Sequence, residues 1–256
     1  MADDVIINAT AHSPLHRALR AATHTAHHQL DHHPLLAPLV KPTLTLHHYR
    51  HALQALLAVH QPLQAALRAD FAAFAIDYPL IDRVALLCAD LAVLKVSPTG
   101  TASAPLALGN ADESGEREEA GGARRLATAA DQVDRRGSEH RATPRCARAA
   151  IYSAFPLPAA GSEATLIGRL YVVEGSRLGG RFIARALQQR LGLTAANGAA
   201  FFNEGGEVRI DRDWPAFWRL AEGQAASAEA IIAGALATFA FITDALDAYA
   251  HTVVVR

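Results

Sequence analysis

The side chains in this 256-residue sequence best suited to chemistry are histidines: there are thirteen, and eleven of them fall between His12 and His60. A neutral imidazole is a common transition-metal ligand and titrates near neutral pH, so this density points to ligand or proton chemistry. His24 and His28 stand four residues apart, the helical spacing at which two rings can grip one metal ion, and His32 continues the row. The same spacing in a His-rich composition also describes a solvated polar face. His27 differs because Asp31 follows one helical turn later, where a carboxylate can accept the ring N–H that a metal-bound imidazole leaves free. His47 and His51 repeat the four-residue spacing, and together with His48 and His60 they read as surface or internally satisfied side chains.

The elements that must position these groups are helical. At about 100° per residue, Leu15, Leu19, Ala22, Ala26 and Leu30 form one stripe, with His24 and His28 opposite it and His16 and His27 at its border. His27 is therefore placed to look into a pocket from a helix that also packs. From Pro14 to Leu94 the chain is Ala/Leu-rich, and Pro34, Pro38, Pro42, Pro62 and Pro79 are predicted to mark turns between helices. Further on, LIGRLYVVEGSRLGGRFIARALQQRLG is apolar on more than one face, the pattern of a central helix. Its Gly175, Gly179 and Gly180 each cost about 1 kcal/mol relative to Ala. Either close packing of helix on helix, or close approach of backbone to a flat bulky ligand, must offset that cost. GSRLGG lacks the following Lys and the preceding strand of a phosphate loop.

Between Ser97 and Ser162 the composition shifts to Gly, Ser, Pro, Arg and Glu, with little periodic apolar surface, which predicts a disordered insertion over 97–162. Few segments alternate with period two. The expected fold is all-α, six to eight helices around one core, a single domain over 1–256 with the insertion inside it. Hydrophobic residues make up 51% of the chain and can fill that core, while a net charge of -1 gives no basic excess for a nucleic acid. With only Cys88 and Cys146, a disulfide scaffold or a Cys-rich metal site is excluded, which fits a reducing compartment. The N-terminus carries no signal-peptide pattern, and no run of about 18 uninterrupted apolar residues occurs. No membrane association and a cytoplasmic location are expected.

LRAATHTAHHQLD and LYVVEGSRLGGRFIARAL together resemble the two signature segments of the heme oxygenases, in particular the bacterial ones found with bacteriophytochromes. YRHALQALLAVHQPLQAAL and RVALLCADLAVL resemble the family's second helix and the one after it. The resemblance covers about Leu15 to Leu94 and Ala164 to Tyr249 and implies a heme-oxygenase-like helical bundle. It further implies that His27 is the proximal heme-iron ligand, that Asp31 is the acidic group behind it, and that Gly175, Ser176, Gly179 and Gly180 belong to the distal helix that crosses over the heme. Arg20 matches a basic position that meets a propionate, and Arg219 is the candidate for the other propionate. The implied reaction opens heme, both cofactor and substrate, to biliverdin, CO and ferrous iron. It uses O2 and electrons from an external donor (ferredoxin, flavodoxin or reductase), and a bacteriophytochrome is the candidate biliverdin acceptor. Two features depart from the pattern: Ser176 stands where many members carry an Asp, and the insertion replaces a much shorter linker. Two alternatives share the architecture, a non-catalytic heme carrier and a thiaminase-like enzyme; neither Cys88 nor Cys146 sits in a motif matching the second.

Overall fold

The computed structural model describes residues 13–95, 157–207 and 209–254, and every regular element among them is helical. Four of the helices begin where a polar side chain takes up free backbone N–H groups of the first turn. Ser13 accepts from His16 N at 3.0 Å to open α1 (Pro14–Asp31), and Pro14 supplies the preset φ of a first helical residue. Thr45 opens α2 (Leu46–Phe74) in the same way, and Ser162 opens α4 (Glu163–Leu191). The first turn of α3 (Arg83–Lys95) is capped by two side chains. Asp82 accepts from Ala85 N, and Gln64 of α2 accepts from both Arg83 N and Val84 N, which docks α3 onto α2. α5 (Ile210–Glu222) and α6 (Ala228–Val254) complete the set.

Pro62 does not mark a turn. It lies inside the 29 residues of α2, although it removes one helical hydrogen bond and crowds the preceding turn at about 3 kcal/mol. Burial explains its tolerance, since Val59, Leu63, Leu67 and Phe71 hold both sides of it in the core. The helix ends at Ala75, which takes the left-handed conformation at φ 53° while Ile76 N donates to Phe71 O.

One core lies where α1, α2, α4, α5 and α6 meet, with Leu19, Leu63, Ile167, Leu170, Trp218 and Ile231 among its most buried members. A second joins α2, α3 and the end of α4 through Tyr49, Leu53, Leu87 and Leu187. α4 and α6 cross at two glycines. A Cβ on Gly168 would stand 2.0 Å from Ile231 O, and one on Gly234 would stand 2.4 Å from Thr165 O. Only glycine at both positions allows that approach.

α6 is long and apolar enough, by length and composition, to cross a membrane, which reading for uninterrupted runs misses. Its Ile231, Ala235, Phe239 and Leu246 are buried in the first core.

Of the stretch expected to be disordered, residues 97–156 lie outside the described residues. Its last residues, 157–162, are tied to the core: Ala160 is buried, its N–H donates to Asp70 at 2.9 Å, and Arg169 holds both Asp70 and the carbonyl of Pro158. Two buried charges paired across 99 positions fix the chain there as α4 begins.

Candidate functional site

On α1 His27 contacts Asp31 one turn on, as their spacing predicts, but its ring is mostly exposed and, among the described residues, does not face a pocket. The Nδ1 atom lies 2.9 Å from Asp31 Oδ2, and the ring meets Phe239 of α6 edge-to-face at 6.2 Å. With Nδ1–H donated to the carboxylate, the Nε2 lone pair is left free for a ligand. Both side chains are about 60% exposed, so the pair contributes little to stability. The buried stripe is rotated slightly from expectation: Thr23 is buried and donates to Leu19 O, while Ala22 is exposed. A hydroxyl satisfied within its own helix can be buried, and a small Ala leaves little apolar area to hide.

The other histidines divide by environment. His28 and His32 stack at 4.1 Å, but His32 Nδ1 meets the carbonyl of His28 and serves the helix end. His47 and His51 lie 4.2 Å apart at the start of α2. Among the described residues no three His, Cys, Asp or Glu side chains form a metal-holding group. His60 is buried, with its ring 5.4 Å from Phe201; burial first, and then the charge of Arg83, push its pKa well below the usual value. His33 was not singled out by sequence. Its Nδ1 accepts from Leu35 N, so Nε2 carries the proton and donates to Asp247 at 3.2 Å, tying the end of α1 to α6.

The glycines of α4 separate into two kinds. Gly180 is buried, and a Cβ there would touch Phe202 at 3.6 Å. Gly179 is exposed, and a Cβ there would meet nothing within 4 Å. Gly175 approaches only the edge of Trp214, at 3.9 Å. Helix–helix packing therefore does not account for Gly175 or Gly179; the packing glycines are Gly168 and Gly234. Ser176 shares the open face and donates its hydroxyl proton to Val173 O at 2.8 Å. One turn on, Phe182 is 66% exposed, so the helix is buried over its first half and open on one side over its second.

Beneath that face lies a buried charged group that the sequence reading passed over. Arg177 donates to Glu174, to both oxygens of Glu204 at 2.7 and 3.0 Å, and to Asp213 of α5 at 2.9 Å. Burial raises the pKa of Glu174 against the pull of Arg177 and Arg83. For Glu204 burial is the largest influence and raises the pKa, but the hydrogen bonds and charge of Arg177 together with the N–H groups of Arg209 and Ile210 outweigh it, and the pKa is lowered. Arg83 is half-buried, with a buried Nε that lacks a hydrogen-bond partner; desolvation pushes its pKa down to about 10, and it donates to Val173 O, the carbonyl that also receives Ser176. A signal was present: the stripe Leu166, Leu170, Val173 continues at helical spacing to Arg177, a charge on a core face.

The chain brings some of these groups together and leaves others apart. Arg20 is exposed on α1, seven residues before His27 and hence on the same side. His16, on that side too, packs against Trp218 of α5 at 4.7 Å, and the exposed Arg219 is the next residue. Trp218 is 5.5 Å from Trp214, whose ring edge is the nearest group that a Cβ on Gly175 would meet. The aromatic pair thus links the α1 row to the open face of α4. Among the described residues no hydrogen bond or ring contact joins His27 directly to that face. Cys88 is half-buried on α3, and Cys146 lies outside the described residues.

The available chemistry is an imidazole with a fixed tautomer, an exposed cation two turns before it on the same side of α1, and a strip of helix backbone that side chains leave uncovered. That donor set suits a flat metal macrocycle with acidic edges. In comparisons with known proteins, the family model "Heme oxygenase" matches residues 13–107. A protein from Xanthomonas campestris pv. campestris (strain 8004) named "Heme oxygenase" is 44% identical over 102 residues, covering 37% of this chain. The chain spans 57% of that relative's length. No solved structure gives a significant match.

Proposed function

We propose, for a chain that belongs by its residues 13–107 to the heme oxygenase family, that it binds heme and opens it with dioxygen and external electrons to biliverdin, CO and ferrous iron. The observation that carries this reading is the His27–Asp31 contact, which fixes the imidazole proton on Nδ1 and leaves Nε2 as a neutral donor. Bound heme supplies the iron at which dioxygen is activated and the ring that is oxidised. His27 holds the iron, Asp31 orients His27, and Arg20 and Arg219 neutralise the propionates. Gly175 and Gly179 let backbone lie close to the macrocycle, where a larger side chain would intrude. Ser176 spends its proton on Val173 O, so its oxygen can accept from water but does not offer an acid to the distal side. A ferredoxin, flavodoxin or reductase supplies electrons, and a bacteriophytochrome is the proposed acceptor of biliverdin.

Titrating the protein with hemin and then adding reductant in air tests this. Loss of the Soret band with growth of biliverdin absorbance is the expected result. Stable ferrous heme under the same conditions makes the protein a carrier, and absence of a Soret complex refutes heme binding altogether.

A further inference from the structure

We propose that Arg177 is a positioning residue: through Glu174, Glu204 and Asp213 it fixes the part of α4 that presents Gly175 and Ser176, and it sets Trp214 against Gly175. As a role in heme chemistry the inference rests on the reading above; as a statement about the face of α4 it stands on contacts within the chain.

Glu174 and Arg177 flank Gly175 and Ser176 in sequence and point to the opposite side of the helix, into the core, with 1% and 3% of their side chains exposed. A guanidinium is a planar fork of five N–H donors. Here four donors reach three carboxylates from three parts of the chain: α4 itself, the 3-10 turn Glu204–Gly206, and α5. Glu204 is held at φ 52°, a left-handed conformation that non-glycine residues rarely adopt. Its carboxylate also accepts from Arg209 N at 2.7 Å, so side-chain hydrogen bonds hold that turn in place. Asp213 is 2% exposed and takes a second cation, Arg212, on its other oxygen.

Trp214 is the residue after Asp213, and its ring edge lies 3.9 Å from where a Cβ on Gly175 would stand. The Arg177–Asp213 contact therefore registers α5 against α4 at the point where the open face begins. Arg83 adds a further tie, from α3 to Val173 O, the acceptor of Ser176. Three carboxylates clustered around Arg177, with Arg83 and Arg212 beside them, form a costly arrangement to bury, and replacing it by apolar packing would often be no less stable. Its use is geometric: a fork that binds three segments fixes angles that apolar contacts leave free.

The variants Asp213→Asn and Arg177→Lys test this on the full chain. The first keeps side-chain shape and removes the charge at the Trp214 end, and the second keeps charge and removes the fork. Asp70→Asn is the control, because it breaks the other buried ion pair of α4, away from the face. The apo readout is 19F NMR of protein labelled with 5-fluorotryptophan, with the two resonances assigned by Trp214→Phe. Asp213→Asn and Arg177→Lys should shift or broaden the Trp214 resonance, while Asp70→Asn lowers stability and leaves it in place. In the hemin complex the first two should bind hemin within about threefold of wild type and yet lose about tenfold or more in turnover per bound heme. An unmoved Trp214 resonance in both variants overturns the proposal, as does full turnover per bound heme in both. If wild type does not bind hemin, the heme reading alone falls, because the 19F comparison still decides what Arg177 positions.

Discussion

Replacing Gly179 and Gly168 by Ala, one at a time, sets two glycines of the same helix against each other. At Gly179 the new methyl meets nothing within 4 Å. The change therefore gains helix propensity and loses flexibility in the unfolded chain, together worth up to about 1 kcal/mol. For a chain of this size that corresponds to a rise of about 2–4 °C in melting temperature. At Gly168 the same propensity gain is opposed by a Cβ 2.0 Å from Ile231 O and 2.7 Å from Ala235 N, both backbone atoms of α6. Overpacking of this kind costs about 1–3 kcal/mol or more, and because backbone cannot rotate away we expect the upper end. The net expectation is a loss of about 2 kcal/mol, or a fall of about 4–8 °C. Thermal unfolding of the two apo variants by circular dichroism measures both. In the hemin complex Gly179→Ala should slow ring opening in single-turnover spectra, because the methyl occupies space that the backbone strip leaves for ligand. A Gly179→Ala protein that melts lower than wild type, or one that opens heme at the wild-type rate, refutes the assignment of that glycine to ligand approach.

His27→Ala should abolish histidine ligation of hemin, read from the Soret band and electron paramagnetic resonance, while His28→Ala leaves it unchanged; ligation lost only in His28→Ala would move the site by one residue. Asp31→Asn should keep hemin binding but weaken the imidazole as a donor, detectable as a lower iron–histidine stretching frequency in the ferrous complex. Asp70→Asn leaves Arg169 buried without its carboxylate and should cost about 3–5 kcal/mol in urea unfolding. His60 remains neutral in the folded state while the unfolded chain takes up a proton near pH 6.5. Stability should then fall as pH drops below that value, by at most about 1.4 kcal/mol per pH unit. His51, lowered by burial and by His47, His48 and Arg50, adds in the same direction, and His60→Leu should flatten the His60 contribution.

What was legible in the sequence was periodic or local. The i, i+4 relation of His27 and Asp31 survives folding because both sit within one helix, where geometry is fixed at 1.5 Å per residue. The all-α architecture follows from the same periodicity. Pro62 predicts a turn because local backbone chemistry disfavours it within a helix, whereas the packing of Val59 and Leu63 that outweighs that cost is tertiary. Gly175 and Gly179 were visible as expensive residues, but only the neighbours of α4 decide whether they pack or stand open. Gly168 and Gly234 were not singled out, since a crossing between two helices gives no signal in either one alone. Arg177 carried a faint signal as a charge on an apolar stripe, and its three carboxylates come from positions 174, 204 and 213, a set that no spacing rule joins.

The glycine crossing also has a consequence for alignment along α6. Where two helices touch backbone to backbone, sliding either by one residue would drive a side chain into a carbonyl, so the crossing admits one register, as a pin admits one hole. Phe239 stands five residues beyond Gly234, about 7.5 Å along the axis, and it is Phe239 that meets the ring of His27. The height at which that imidazole finds its aromatic neighbour is therefore set by two residues with no side chains. A variant that lets the pin slip should disturb His27 without altering any atom it touches.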